Sequence, residues 1–250
     1  MSNYNGFAYV YDLLMKDVPY PAWASYIDRV ITQHLGDNRK GKIVLDMACG
    51  TGNITFPLAK MGYDMIGIDI STDMLSQALA KKEDEEILFL AQDMLNLDLY
   101  GTIDAAVCAC DGLNYILEIP QLEEVFKRVK MFLNPGGVFI FDINTEYKFE
   151  NILGQQSFYS DNTDDNTDNE GTAYEWNNSF DKDTGINTYH VHFMPKGSDP
   201  FIEIHHQRAY PADVICGLLQ NAGFKSIEKR DGYTDALPDD KTSRITFICL

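Results

Sequence analysis

The run Val44 to Asn53, VLDMACGTGN, carries one acid, Asp46, through an apolar stretch into a turn holding Gly50 and Gly52. Glycines in such a turn let a ligand approach the backbone where a side chain would block it. A dinucleotide turn of the form G-x-G-x-x-G uses its third glycine to pack the next helix against the strand, and here Thr55 takes that place. A carboxylate four residues ahead of Gly50 is also unwelcome beside a pyrophosphate and suits a cationic ligand.

Two more acids close apolar runs. Asp69 ends Met65 to Ile68 in GIDIS, and Asp93 in AQDM follows Ile87 to Ala91. Taken singly, Asp69 suits a helix cap and Asp93 a solvated surface. Their repetition at successive strand ends is what groups them with Asp46. In EIHHQRAY, strand alternation sets His206, Arg208 and Tyr210 on one face and His205, Gln207 and Ala209 on the other. Arg208 is suited to a ligand carboxylate or to an acidic neighbour. Tyr9 and Tyr11 either lay rings against a cation or pack a short helix onto the body. Tyr11, Asp111, His206 and Arg208 are the candidate catalytic residues.

These positions need a frame. Apolar Trp23, Tyr26, Ile27, Val30, Ile31 and Leu35 recur at helical steps, predicting a helix from Tyr20 to Leu35 stopped by Gly36, with a shorter one near Phe7 to Met15. Apolar runs Ile43 to Leu45, Met65 to Ile68, Ile87 to Ala91, Ala105 to Cys110 and Val138 to Ile143 alternate with helical stretches Ile54 to Lys60, Asp73 to Lys81 and Gln121 to Phe132. That order predicts an α/β fold with a doubly wound, mostly parallel sheet, whose ligands sit at the carboxyl ends of its strands. A final helix, Ala212 to Ala222, and strands Ser226 to Arg230 and Arg244 to Leu250 complete seven strands, the last pair antiparallel. Between them, Thr172 to Phe180, Ile186 to Met194 and Phe201 to Tyr210 alternate and are joined by DKDTG and PKGSDP, predicting an inserted three-stranded antiparallel sheet.

DMACGTG, of the form D-x-x-C-G-x-G, resembles motif I of the class I S-adenosylmethionine-dependent methyltransferases, a Rossmann-like family. The resemblance covers nearly all the chain outside Glu146 to Tyr210. It implies S-adenosylmethionine as cofactor, a ligand with an ammonium, a sulfonium and no phosphate. By the same resemblance Asp46 holds the ammonium, often through water, and Asp69 accepts from the two ribose hydroxyls with Ile70 beside the adenine. Asp93 takes the adenine amino group while Met94 packs on the ring, and LNPGG, Leu133 to Gly137, is a family turn of type II. Tyr9, Ala48, Cys49, Gly50, Gly52 and Asn53 are expected at the cofactor as well, as are Met74, Gln92, Cys110, Asp111 and Tyr115. Residues 1–145 and 211–250 would form the cofactor-binding domain, with 1–36 as a helical cap and 146–210 as a lid over the acceptor.

CACDGLNYI lacks the proline motifs that mark methyltransferases of nucleic-acid bases. The N-terminal YNGFAYVYDLLMKDVPYPAW and the insertion resemble small bacterial methyltransferases of undefined acceptor, and more distantly the glycine/sarcosine N-methyltransferase type. The expected reaction is in-line methyl transfer to a small or medium acceptor. Two other readings stay open: a Rossmann nucleotide-binding protein without methyl transfer, such as an NAD(P)-dependent oxidoreductase or a sensor, and a methyltransferase of protein or RNA.

Acids outnumber bases 38 to 20, a net charge of −18 that repels phosphate backbones and argues against nucleic acid. RKGK, Arg39 to Lys42, reads as a solvated turn. No apolar run has the length of a membrane span, and Met1 to Pro19 lacks the pattern of a secretory signal. Five cysteines without paired spacing suit reduced thiols in a cytoplasm, and a monomer or homodimer is expected. The acidic stretch Tyr159 to Gly171 has Asn166 where a calcium loop beginning at Asp161 needs glycine, so no metal is expected.

Overall fold

A computed structural model describes residues 7–83, 85–154, 156–160, 172–195 and 199–250. The acidic stretch 161–171 and the Tyr9 side chain lie outside the described residues. Two helices, α1 (Phe7–Leu14) and α2 (Tyr20–Leu35), precede the alternation. It runs β1 (Ile43–Met47), α3 (Thr55–Lys60), β2 (Asp64–Asp69), α4 (Thr72–Lys81), β3 (Ile87–Ala91), β4 (Ile103–Cys108), α5 (Ile119–Phe132) and β5 (Leu133–Asn144). After a second sheet come α6 (Ala212–Asn221), β10 (Ile227–Asp231) and β11 (Arg244–Cys249).

The main sheet has seven strands in the order β10-β11-β5-β4-β1-β2-β3. Only β11 runs against its neighbours, pairing antiparallel with both β10 and β5. Apolar side chains leave both faces of these strands, so each face needs a helical layer. Leu122, Val125, Phe126 and Val129 of α5 and Ile215 and Leu219 of α6 bury one face. Ala24, Ile27, Val30 and Ile31 of α2, with Leu58 of α3, bury the other. The strand order reverses between the parallel neighbours β1 and β4, so their carboxyl ends open a crevice between diverging connections.

The second sheet comprises β6 (Ser157–Ser160), β7 (Thr172–Asp181), β8 (Ile186–Pro195) and β9 (Phe201–Arg208), antiparallel throughout. It has four strands where the sequence pattern predicts three. The additional strand, SFYS, is too short to display alternation and owes its extended form to pairing with Trp176 and its neighbours. Phe193, Val191 and Tyr189 of β8 pack with Phe149 and with Ala8 of α1 and Met74 of α4, seating this sheet beside the crevice. A second correction concerns β4, which stops at Cys108 rather than Cys110, because Cys110 (φ 60°) and Asp111 (φ 54°) take left-handed backbone.

Candidate active site

The glycine turn follows from strand ends and positive φ. Ala48 (φ 52°), Gly50 (φ 54°) and Gly52 (φ 85°) bend the chain off β1. The turn is fastened by Asp69 at the end of β2, whose Oδ2 accepts from the Gly50 N–H at 2.8 Å and whose Oδ1 accepts from the Ser71 N–H at 2.8 Å. A carboxylate oxygen accepts more than one hydrogen bond, so Asp69 retains capacity toward a ligand. Gly50 borders the cavity, and a Cβ added there would meet no atom within 4 Å. Asp46 is buried and accepts from Thr55 Oγ1 at 2.5 Å. Burial pushes its carboxyl up to about 7.

At the carboxyl ends of the strands lies a cavity of about 620 Å³. Ala48, Gly50, Asp69, Ile70 and Met74 border it on one side, with Asp93 and Met94. Ile70 is apolar yet 62% exposed. Asp93 also caps a 3₁₀ turn, accepting from the Leu95 N–H at 2.9 Å. Tyr11, Cys110, Asp111 and Tyr115 border the cavity further along. Asp46, Cys49, Gly52, Asn53 and Gln92, expected at the cofactor, do not border the cavity.

Helix α1 is tied down over the glycine turn. Thr51 Oγ1 donates to Asp12 Oδ1 at 2.7 Å, Asn53 Nδ2 donates to the same oxygen at 2.9 Å, and Lys81 pairs with the carboxylate. The Tyr11 hydroxyl lies 3.2 Å from that of Tyr20, which in turn stands 3.9 Å from Cys110 Sγ. Burial raises the pKa of both tyrosines and carries the Cys110 thiol to about 12, so this trio stays protonated. A neutral thiol of that kind is a poor nucleophile.

The left-handed turn at Cys110 and Asp111 is held by Asp142, a fully buried acid in β5. Asp142 accepts from the Cys110 N–H at 2.7 Å, the Asp111 N–H at 3.0 Å, Tyr233 Oη at 2.5 Å and Arg244 Nη1. Arg244 Nη2 donates to Asp111 Oδ1 at 2.7 Å, and Gln207 Nε2 donates to Asp111 Oδ2 at 2.6 Å. Gln207 Oε1 accepts from Tyr189 Oη at 2.9 Å and from Asn144 Nδ2 at 3.2 Å. One hydrogen-bonded chain therefore joins β11, β5 and the turn after β4 to strands β8 and β9 of the second sheet.

Of the two β9 faces, the structure turns His205 and Gln207 to the cavity. His206 is exposed, with Nδ1 3.1 Å from Thr188 Oγ1, and Arg208 donates to the Leu117 carbonyl at 2.6 Å beside the Tyr210 ring. Neither borders the cavity. Burial, and secondarily His206, push His205 down to about 4, leaving a neutral imidazole edge-on to Tyr115. Sequence reasoning passed over Tyr20, Asp142, Lys148, Gln207 and Arg244. Asp142 left a signal, an acid inside the apolar run FIFDIN, where a charge requires a partner.

Residues 44–137 match the family model described as a methyltransferase domain. YqeM of Bacillus subtilis, a protein grouped with the methyltransferases, is 35% identical over 250 residues, covering 98% of this chain and 95% of that one. An S-adenosylmethionine-dependent methyltransferase from Clostridium acetobutylicum superposes with a TM-score of 0.83 at 32% identity, covering 98% of each chain. The S-adenosylmethionine-bound amino pentose methyltransferase CalS10 from Micromonospora echinaspora shares the fold, with a TM-score of 0.76 at 16% identity over 96% of this chain and 95% of that one.

Proposed function

The chain belongs to the class I S-adenosylmethionine-dependent methyltransferases, and we propose that its acceptor is a small molecule held between the strand ends and the second sheet. When bound, the cofactor supplies a methyl group already activated on a sulfonium, so positioning and exclusion of water do much of the work. The residues present fit that group. Asp69 keeps acceptor capacity for a ribose diol beside the backbone of Gly50, and the open space over Gly50 admits a ligand where a Cβ would intrude. Ile70 and Met94 offer apolar surface for a flat ring. Asp46, buried and outside the cavity lining, acts on a cation through its charge rather than by direct contact.

The observation that carries the small-acceptor reading is that strands of the second sheet and helix α1 line one cavity with the strand ends. Tyr115, Trp176, Tyr189, His205 and Gln207 face the cofactor side of a single 620 Å³ space, and α1 is pinned across its other side through Asp12. In this reading helix α1 belongs to the cap and the second sheet serves as the lid. Tyr11 and Tyr20 remain neutral hydroxyls at the turn after β4, suited to orient rather than deprotonate an acceptor. Asp111 is engaged on both oxygens, and its role is to hold that turn. A reducing cytoplasm is part of this reading, supported by five cysteines without a disulfide.

Calorimetry tests the cofactor half: S-adenosylmethionine and S-adenosylhomocysteine bind and NADH does not, the reverse outcome overturning it. Methyl-labelled cofactor with a fractionated cell extract tests the acceptor half. Label in the small-molecule fraction is expected, and label confined to protein or RNA would overturn it.

A further inference from the structure

Lys148 opens the π-helical segment Lys148–Leu153 after β5 and borders the cavity on the lid side. Its ammonium donates to Asn144 Oδ1 at 2.8 Å, a neutral acceptor. Among the described residues no carboxylate lies within 4.0 Å of it, whereas its neighbour Arg244 is paired with both Asp111 and Asp142. An ammonium taken from water without an anion is costly, and burial together with Arg244 lowers the pKa of Lys148 accordingly. Three N–H donors belong to a lysine, and the carboxamide uses one.

The surroundings are fixed. Asn144 is itself buried, and its Nδ2 is committed to Gln207, so its Oδ1 cannot be exchanged for a donor without breaking that bond. Tyr115, Trp176 and Tyr189 supply aromatic walls to the same cavity. The local charges of Lys148, Arg244, Asp111 and Asp142 sum to zero. A single negative charge next to the ammonium is offset by it, whereas a second would face Asp111 and Asp142, which already occupy Arg244.

We propose that Lys148 binds a carboxylate on the methyl acceptor, making the substrate a small monoanionic acid whose body lies against the aromatic walls. The proposal rests on the small-acceptor reading above. Lys148 holds the acid group, Asn144 orients the ammonium, and the nucleophilic atom is left facing the cofactor side near Tyr11 and Cys110.

The test uses the full chain saturated with S-adenosylhomocysteine and titrated with benzoate, with benzamide as its neutral counterpart. Benzoate should bind about tenfold or more tightly than benzamide, as a charge-assisted contact implies. Lys148→Met should bind S-adenosylhomocysteine as the parent does and lose the preference, and Lys148→Arg should keep part of it. Equal affinity for the two probes, no measurable benzoate binding, or a preference surviving Lys148→Met overturns the role of Lys148. Methyl label confined to protein or RNA strikes the small-acceptor reading instead, so the two fail separately.

Discussion

Arg244 Nη2 stands 2.7 Å from Asp111 Oδ1, bringing the first residue of β11 against the left-handed turn that follows β4. The same guanidinium reaches Asp142, and Trp23 lies 5.2 Å from its carbon, so one cation serves two buried carboxylates beneath an aromatic ring. Removing that cation leaves both acids uncompensated, which is worse than removing one acid. Arg244→Leu is therefore expected to cost on the order of 3 kcal/mol or more in urea unfolding, and more than Asp111→Asn. Equal costs would mean that the arginine is not what holds the turn.

Asp69 joins the glycine turn to the next strand through Gly50 and Ser71. Asp69→Ala removes those bonds and the acceptor pair offered to a ribose diol. S-adenosylhomocysteine affinity measured by calorimetry should fall by at least about tenfold, the effect of losing charge-assisted hydrogen bonds. Unchanged affinity would sink the assignment of Asp69.

How much of this was readable in the chain depends on the range of the interaction. The order of the seven strands and of the helices that flank them follows from local periodicity and spacing, with Asp46, Asp69 and Asp93 at or just past strand ends, although β4 stops at Cys108 and β5 begins at Leu133, taking in LNPGG, rather than at Val138. Strand alternation likewise sorted His205 and Gln207 from His206 and Arg208, but not which pair meets the cavity. That choice is made by packing of β8 and β9 on Phe149, Ala8 and Met74, residues scattered along the chain. Arg244 and Asp111 are 133 positions apart, and no spacing rule connects them. Strand β6 was invisible for a related reason, since four residues carry no period and only their partner strand makes them extended.

Asp46 predicts a pH dependence with a definite sign. Its carboxyl sits at about 7 in the fold because it is buried, against about 4 in an unfolded chain. The folded form thus holds the proton more tightly, a contribution present at low pH and lost as pH rises from about 4 through 7. Without cofactor, the Tm should fall by a few degrees more between about pH 5 and pH 8 than that of Asp46→Asn, which has no proton to lose. Binding of the cationic cofactor below pH 7 should also release a proton, read by calorimetry in buffers of different ionisation enthalpy. Identical pH profiles for the two proteins would remove Asp46 from this role.

Asp12 sets the last prediction, because it is the link between α1 and the glycine turn. Its carboxylate receives Thr51, Asn53 and Lys81, and these bonds hold it below the usual carboxylate range despite partial burial. The Asp12 and Lys81 side chains are 40% and 34% exposed, so the ion pair itself contributes little, and the worth of the contact lies in fixing the helix over the cavity. Asp12→Ala should then leave the Tm nearly unchanged while raising both association and dissociation rates of S-adenosylhomocysteine several-fold in stopped-flow fluorescence, with Trp23 and Trp176 at the cavity as the reporters. A protein gated by α1 shows both rates rising together with a modest change in Kd. A rise in the dissociation rate alone would assign Asp12 to holding the ligand, and unchanged rates would show that the helix does not govern entry.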